Sequence, residues 1–292
     1  MSRVVRIVLA LLAVALSACS SSTMTRLAYA NAALAYSNMA SAIAWTVDDY
    51  VDMTDTQEAW VKERAARAMD WHRVEELPRA RKVLEAMLAK SAGAFSAEDL
   101  AGLQSEVRAF LLRAMGHLVP DMAEFLTTTD VEQLARIEKK MAQDNQDFLK
   151  ESSRGTVEER RKRRVQRFVA HLEAWTGPLD DAQLEIVKAA YRDTPDFTPD
   201  MLGERRYRQG EVLALVRART PRAEMETQLK RLFVDMESWR RTEYREAVRA
   251  RDAKMQEAVA AISATLTPRQ RASVRSRIEG LIRDIDKVTS AS

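Results

Sequence analysis

Cysteine is nearly absent: the 292 residues hold one, Cys19. A lone thiol excludes an intrachain disulfide, a cysteine zinc site and an iron–sulfur cluster. Histidine is scarce as well. His72, His117 and His171 lie far apart, with no i, i+4 pair from which a metal site could start. Eight glycines and seven prolines are few for this length, and no glycine-rich phosphate loop, GxSxG elbow or HExxH occurs. No cofactor is expected, and no metal. Neither charge dominates: 46 basic residues face 43 acidic ones, so the general positive field that recruits nucleic acid is missing. Long apolar runs are missing too. The longest near the N terminus covers roughly ten residues, against about twenty for a membrane span.

That short run has a function of its own. Arg3 and Arg6 precede the apolar residues 7–15, and small residues lead to Leu16-Ser17-Ala18-Cys19. This is the layout of a secretory signal, and its last four residues resemble a bacterial lipobox. The resemblance implies cleavage before Cys19 and acylation of its sulfur and new amino terminus. Each buried methylene contributes about 0.8 kcal/mol, so two or three chains hold a protein firmly where one holds it reversibly. Lipoproteins with Asp after the cysteine resemble inner-membrane ones; Ser20 therefore implies an outer-membrane destination, and a body facing the periplasm is the expectation, although Ser20 does not fix the leaflet face. Removing residues 1–18 takes away Arg3 and Arg6 and no acid, so 46 basic residues become 44 and the net charge falls to about +1.

What is abundant is helix former: Ala, Leu, Glu, Arg and Met. The expected class is all-α, an elongated multi-helix antiparallel assembly in one or two lobes. Residues 1–18 form the signal, 19–23 a lipidated tether, 24–151 an N-terminal lobe and 156–292 a C-terminal lobe. Residues 27–47 carry no charge, but Asn31, Ser37, Asn38 and Ser41 interrupt them. A buried helix, or one packed on a partner or the lipid surface, fits better than a second span, with Tyr29, Tyr36 and Trp45 as its bulk. Thr54 with Gln57, Ser96, Thr129–Gln133, Leu179–Gln183 and Leu266–Gln270 mark helix starts. Pro78 is expected to limit one helix, and Gly116 with Pro120 to break another. Met225, Leu229, Leu232, Met236 and Trp239, then Tyr244 through Ile262 after a one-residue slip, predict one long helix near 221–262.

Candidate chemistry is thin. Asp48, Asp49 and Asp52 cluster, and His72 lies three residues before Glu75. An envelope hydrolase or glycan-acting enzyme using Asp48, Asp49, His72 and Glu75 is the rival reading. Charged helix ends and surface ion pairs account for the same residues more simply, and a non-enzyme is expected. Arg160, Arg161, Lys162, Arg163 and Arg164 form the densest basic run, a solvated helix face or a candidate polyanion site.

Leu266-Thr267-Pro268-Arg269-Gln270 is similar to the LTxxQ motif of small periplasmic helical chaperones. That resemblance implies promiscuous client contact through flexible apolar residues such as methionine. Met53–Gln57 and Leu179–Gln183 share its shape, although the intervals between the three glutamines define no regular repeat.

A wider resemblance is carried by Trp45-Thr46-Val47-Asp48-Asp49-Tyr50-Val51-Asp52 with Gln57, Trp71-His72-Arg73 and Glu76-Leu77-Pro78. It continues in Glu159-Arg160-Arg161 and in Trp175-Thr176-Gly177-Pro178-Leu179 with Gln183. Together these resemble a family of uncharacterised Gram-negative lipoproteins known as a domain of unknown function. The resemblance implies an envelope location and a helical body, and brings no activity. Trp45, Tyr50, Trp71 and His72 are the candidate partner-binding residues. The expected role is a binding or scaffold protein held to the membrane by its acyl chains, with an envelope protein as partner or client.

Overall fold

The computed structural model describes Tyr36 and residues 38–290, and every regular element among them is helical. Helix α1 spans Met39–Val51 and α2 spans Asp55–Trp71. A π-helix over His72–Glu76 leads into α3, Leu77–Lys90. Then follow α4 (Ala97–Thr127), α5 (Val131–Ser153), α6 (Val157–Thr176), α7 (Asp181–Arg192), α8 (Thr198–Arg217) and α9 (Arg222–Phe233). A 3-10 turn at Met236–Ser238 precedes α10 (Thr242–Ala264) and α11 (Pro268–Ser290). The all-α class holds. Cys19, the signal and the tether lie outside the described residues.

The helix starts follow from their caps. Thr54, Ser96, Asp130, Thr156 and Asp180 each accept from the backbone amide three residues on, and that residue's side chain returns a bond to the cap. Each box satisfies two amides that a helix terminus would otherwise leave orphaned. Thr267 and Gln270 do the same at the start of α11.

Three expected helix limits are corrected. Pro78 does not end its helix. Its ring removes a donor and crowds the carbonyl four residues back, and the π-turn widens the coil there, with the Leu77 amide bonded to the His72 carbonyl. Gly116 and Pro120 do not break α4, which runs unbroken past both. Pro120 forfeits the bond to the Gly116 carbonyl, while its neighbours Val119 and Ala123 are fully buried in a core with α8 and α9. Packing outweighs the local loss. The long helix near 221–262 is two helices. After Phe233 the Asp235 amide bonds back to Lys230, and the Trp239 indole donates to the Arg231 carbonyl at 3.2 Å. A one-residue slip in a straight helix would swing the later apolar stripe about 100° off the core; the break puts Tyr244 and Ile262 back inside.

Four cores hold the bundle. Met69 and Leu77 meet Leu281, Ile285 and Val288 of α11, with Tyr36 and Met39. Val119 and Ala123 meet Met225, Leu229 and Leu232, and each leucine buried there is worth roughly 1.5–3 kcal/mol. Tyr50, Val51, Ile137 and Leu213 form a third core, and Leu179, Val187 and Ile262 a fourth. Contacts cross the 152–156 joint freely: α3 packs on α11, α4 on α9 and α10, and α5 on α8. The described residues on either side of that joint therefore share cores. Among the described residues, no helix is long and apolar enough to cross a membrane.

Candidate functional site

The π-turn gathers a set of buried polar groups. His72 and Glu76, four residues apart on it, both face inward, at 6 % and 1 % exposure, while Val74 and Glu75 lie outside. The Tyr36 hydroxyl donates to the Met69 carbonyl at 2.7 Å and lies 2.9 Å from His72 Nδ1. With the hydroxyl proton committed to Met69, this contact requires the tautomer in which Nδ1–H donates to the phenolic oxygen. The Phe110 ring meets His72 edge-on at 5.6 Å. Burial pushes the His72 pKa down to about 4, although the Glu76 charge pulls the other way. Burial likewise raises the Tyr36 hydroxyl.

Glu76 is the anionic centre. Arg113 reaches it from α4 through Nε at 2.9 Å and Nη2 at 2.8 Å, and Arg79 through Nη1 at 2.6 Å. Burial alone would raise its carboxyl; hydrogen bonds and charge from Arg113, with Arg79, hold it below the usual range. One turn away Trp71 stacks on His117, centroids 4.1 Å apart and planes 8° from parallel. The π-turn is thus pinned to α4 by a stacked pair, an edge contact and a bidentate ion pair.

The other sequence candidates scatter. Trp45, expected to add bulk to a buried helix, is 61 % exposed; it lies on the face of α1 opposite Met39 and Tyr50. Tyr50 is interior and donates to Asp144, so Tyr50 and His72 support the fold from within instead of offering a partner surface. Asp48 accepts from the Met53 amide at 2.8 Å, closing the end of α1. Asp49 pairs with Lys140, Asp52 with Arg136 and Glu75 with Arg79. Asp48, Asp49, His72 and Glu75 have four separate sets of partners and meet in no common cleft. Among the described residues no three His, Asp or Glu side chains gather as a metal ion needs. The basic run is largely occupied: Arg160 and Arg164 share Asp196, Arg161 pairs with Glu158, and Arg163 donates to the Arg154 carbonyl.

A second arrangement was missed by reading each cap alone. Gln57 and Gln133 exchange amide hydrogen bonds at 3.1 and 2.7 Å. Gln183 and Gln270 do so at 3.2 and 2.9 Å. Each Nε2 also reaches the carbonyl five residues before its partner glutamine: Gln57 to Thr128, Gln133 to Asp52, Gln183 to Thr265 and Gln270 to Pro178. Four helix–turn–helix tips are therefore locked two by two in one register. The fourth tip fell outside the shared pattern because residue 129 is Thr where the other three segments have Met53, Leu179 or Leu266. These glutamines are spent on turns, and the motif specifies architecture.

Fold and site together define an all-helical protein whose turns interlock through paired glutamines and whose buried polar network staples a π-turn to its neighbour. The chain belongs to the DUF6279 family, a family of unknown function whose profile matches residues 49–245. Comparison with curated proteins and with solved structures finds no match.

Proposed function

We propose that this chain is a lipid-anchored, non-enzymatic scaffold of the cell envelope that binds a protein partner, or holds partly unfolded clients, through the outer faces of its helices. The anchor rests on Leu16-Ser17-Ala18-Cys19, and Ser20 favours the outer membrane; the periplasmic side is part of the proposal and does not follow from Ser20. The observation that carries the non-enzymatic reading is the dispersal of Asp48, Asp49, His72 and Glu75 among unrelated partners. A hydrolase that used two of these groups as acid and base would need both within hydrogen-bond reach of the reacting bond. Contact through helix faces is favoured by large apolar side chains left in solvent, among them Trp45, Val74 and Val107 at 61, 64 and 49 %. Aromatic side chains of this kind anchor protein interfaces.

Two measurements test the reading. A Cys19→Ser variant is expected to lose palmitate incorporation and to leave the membrane fraction; unchanged labelling would remove the anchor. A photocrosslinker at Trp45 in cells is expected to trap a discrete protein adduct, with the same probe at buried Tyr50 as the control. Equal adducts from both positions would refute a surface role. The client-holding form predicts suppressed aggregation of a heated client at near-stoichiometric amounts of the full chain, and failure with several clients discards it.

A further inference from the structure

The break between α9 and α10 brings together more positive charge than its acids answer. Glu237, in the 3-10 turn, receives Arg108 Nη2 from α4 at 2.9 Å and Arg249 Nη2 from α10 at 3.3 Å. Arg240 and Arg245 stand 3.8 and 3.9 Å from the same carboxylate. Arg245 is fixed by two further bonds, to the Glu237 carbonyl at 2.9 Å and the Thr242 hydroxyl at 3.1 Å. Arg240 is committed to Glu204 through Nε at 2.5 Å and Nη2 at 2.8 Å, and Arg208 stands 3.8 Å from that same Glu204. Five guanidinium groups thus face two carboxylates.

The cluster does not lie along a single helix face. The guanidinium groups come from α4, α8, the turn and α10, and a folded corner aims them. Trp239 holds that corner: its indole bonds the Arg231 carbonyl, its ring packs on Tyr207 at 4.9 Å, and Arg208 lies 5.6 Å over it. Burial works against the Arg208 charge and lowers its pKa, while Arg108 chiefly offsets burial at Glu237 and holds that carboxyl below its usual range. Each guanidinium offers five N–H donors in a planar fork matched to tetrahedral oxyanions. One carboxylate accepts about four hydrogen bonds, so Glu237 alone cannot serve all the donors around it.

We infer that Arg108, Arg245 and Arg249 around Glu237 form a binding site for a phosphate group, with the Glu237 carboxylate as a built-in competitor for it. A multiply charged oxyanion answers the excess that a single carboxylate leaves, and bidentate guanidinium–phosphate pairs are among the stronger charge-assisted contacts. Arg108 and Arg249 are open to such a ligand, at 54 % and 71 % side-chain exposure. The site is distinct from the 160–164 run, whose arginines are largely taken up within the fold.

The test uses the full chain in neutral detergent micelles, titrated with pyrophosphate in a calorimeter, and separately in flotation with phosphatidylglycerol or phosphatidylcholine vesicles. Glu237→Gln removes the competitor and is expected to tighten pyrophosphate binding several-fold. Arg249→Ala, at an exposed position that carries no core contact, is expected to weaken it about tenfold, and Arg108→Ala similarly. Arg163→Gln is the control, expected to leave binding unchanged. Binding to phosphatidylglycerol vesicles alone assigns the phosphate to a lipid headgroup; binding to pyrophosphate alone assigns it to a free or polymer-borne group. Absence of both, or affinities in which Glu237→Gln and Arg249→Ala equal the parent, overturns the site.

Discussion

Replacing Gln183 by Ala asks whether the interlocked turns hold the fold or merely decorate it. Gln183 is fully buried and Gln270 is 7 % exposed. The substitution removes the acceptor for the Asp180 amide at 3.2 Å and for one Gln270 Nε2 hydrogen at 2.9 Å, along with the donor to Thr265. Asp180 is exposed, so water can replace much of its loss. The Gln270 hydrogen has no such recourse, and an orphaned buried donor costs about 1–3 kcal/mol. Loss of the capping box adds about 1 kcal/mol. The expected destabilisation is about 2–4 kcal/mol. Gln270→Ala orphans the mirror-image groups and falls in the same range. In the double variant the reciprocal bonds can be lost only once, so its cost falls short of the two single costs by about 1–2 kcal/mol. Urea unfolding followed by far-ultraviolet circular dichroism gives the four free energies of the cycle, provided the denaturant slope is unchanged. Additivity within about 0.5 kcal/mol would refute the argument, because the two glutamines would then be independent caps that happen to touch. The same cycle on Gln57 and Gln133 should show smaller coupling, since Gln57 is only partly buried and water competes for its amide.

Acid should loosen the π-turn in two stages. His72 is buried neutral with a pKa of about 4 against 6.5 when unfolded, so above pH 6.5 its ionisation contributes no pH dependence. Between 6.5 and 4 the unfolded chain takes up a proton that the native state refuses, and stability falls by about 3 kcal/mol; His72→Gln should flatten that limb in urea titrations run across the range. Glu76 has the depressed pKa of a paired carboxylate, so its contribution is present above the unfolded carboxyl value near 4.5 and is lost as the pH falls through its folded value. Glu76→Gln at neutral pH should cost about 3 kcal/mol by leaving Arg113 with a weaker partner, and should flatten the more acid limb and not the His72 one. Pro120→Ala should raise stability by about 1–3 kcal/mol by restoring the bond to the Gly116 carbonyl; a lower urea midpoint would show that the proline is needed where it stands.

Capping boxes and apolar stripes were legible because they are local: Thr54 with Gln57, or Leu229 with Leu232, can be read within one or two turns of chain. Pro78 and Pro120 misled for the complementary reason. A proline's cost is local, but what overrides it is remote: the Tyr36, Phe110 and Arg113 contacts around one, and the α8 and α9 core around the other. The slip after Trp239 was visible in the spacing, but as a longer step between apolar residues it fitted a gentle drift as well as a break. Only the Trp239 bond to Arg231, made eight residues away, decides between them. Tyr50 and His72 were picked on the family resemblance alone, which does not say which side of a helix a residue faces; both rings are buried with one polar atom satisfied inside.

The glutamine pairs show why the three similar segments yielded no repeat. Repetition was sought between successive glutamines along the chain, where the intervals are set by whatever lies between two turns and so carry no constraint. Pairing imposes its constraint across space: each amide must reach its partner's amide and the carbonyl just before the partner's cap at once. That fixes the five-residue offset at all four tips, Asp52 with Gln57, Thr128 with Gln133, Pro178 with Gln183 and Thr265 with Gln270. The helices joining those tips are free to differ, and they do: α4 is a single rod where the corresponding stretch of the second half bends at Trp239. That bend sets Glu237 and the arginines of α10 against Arg108 of α4, so the arginine-lined corner draws on both halves of the chain.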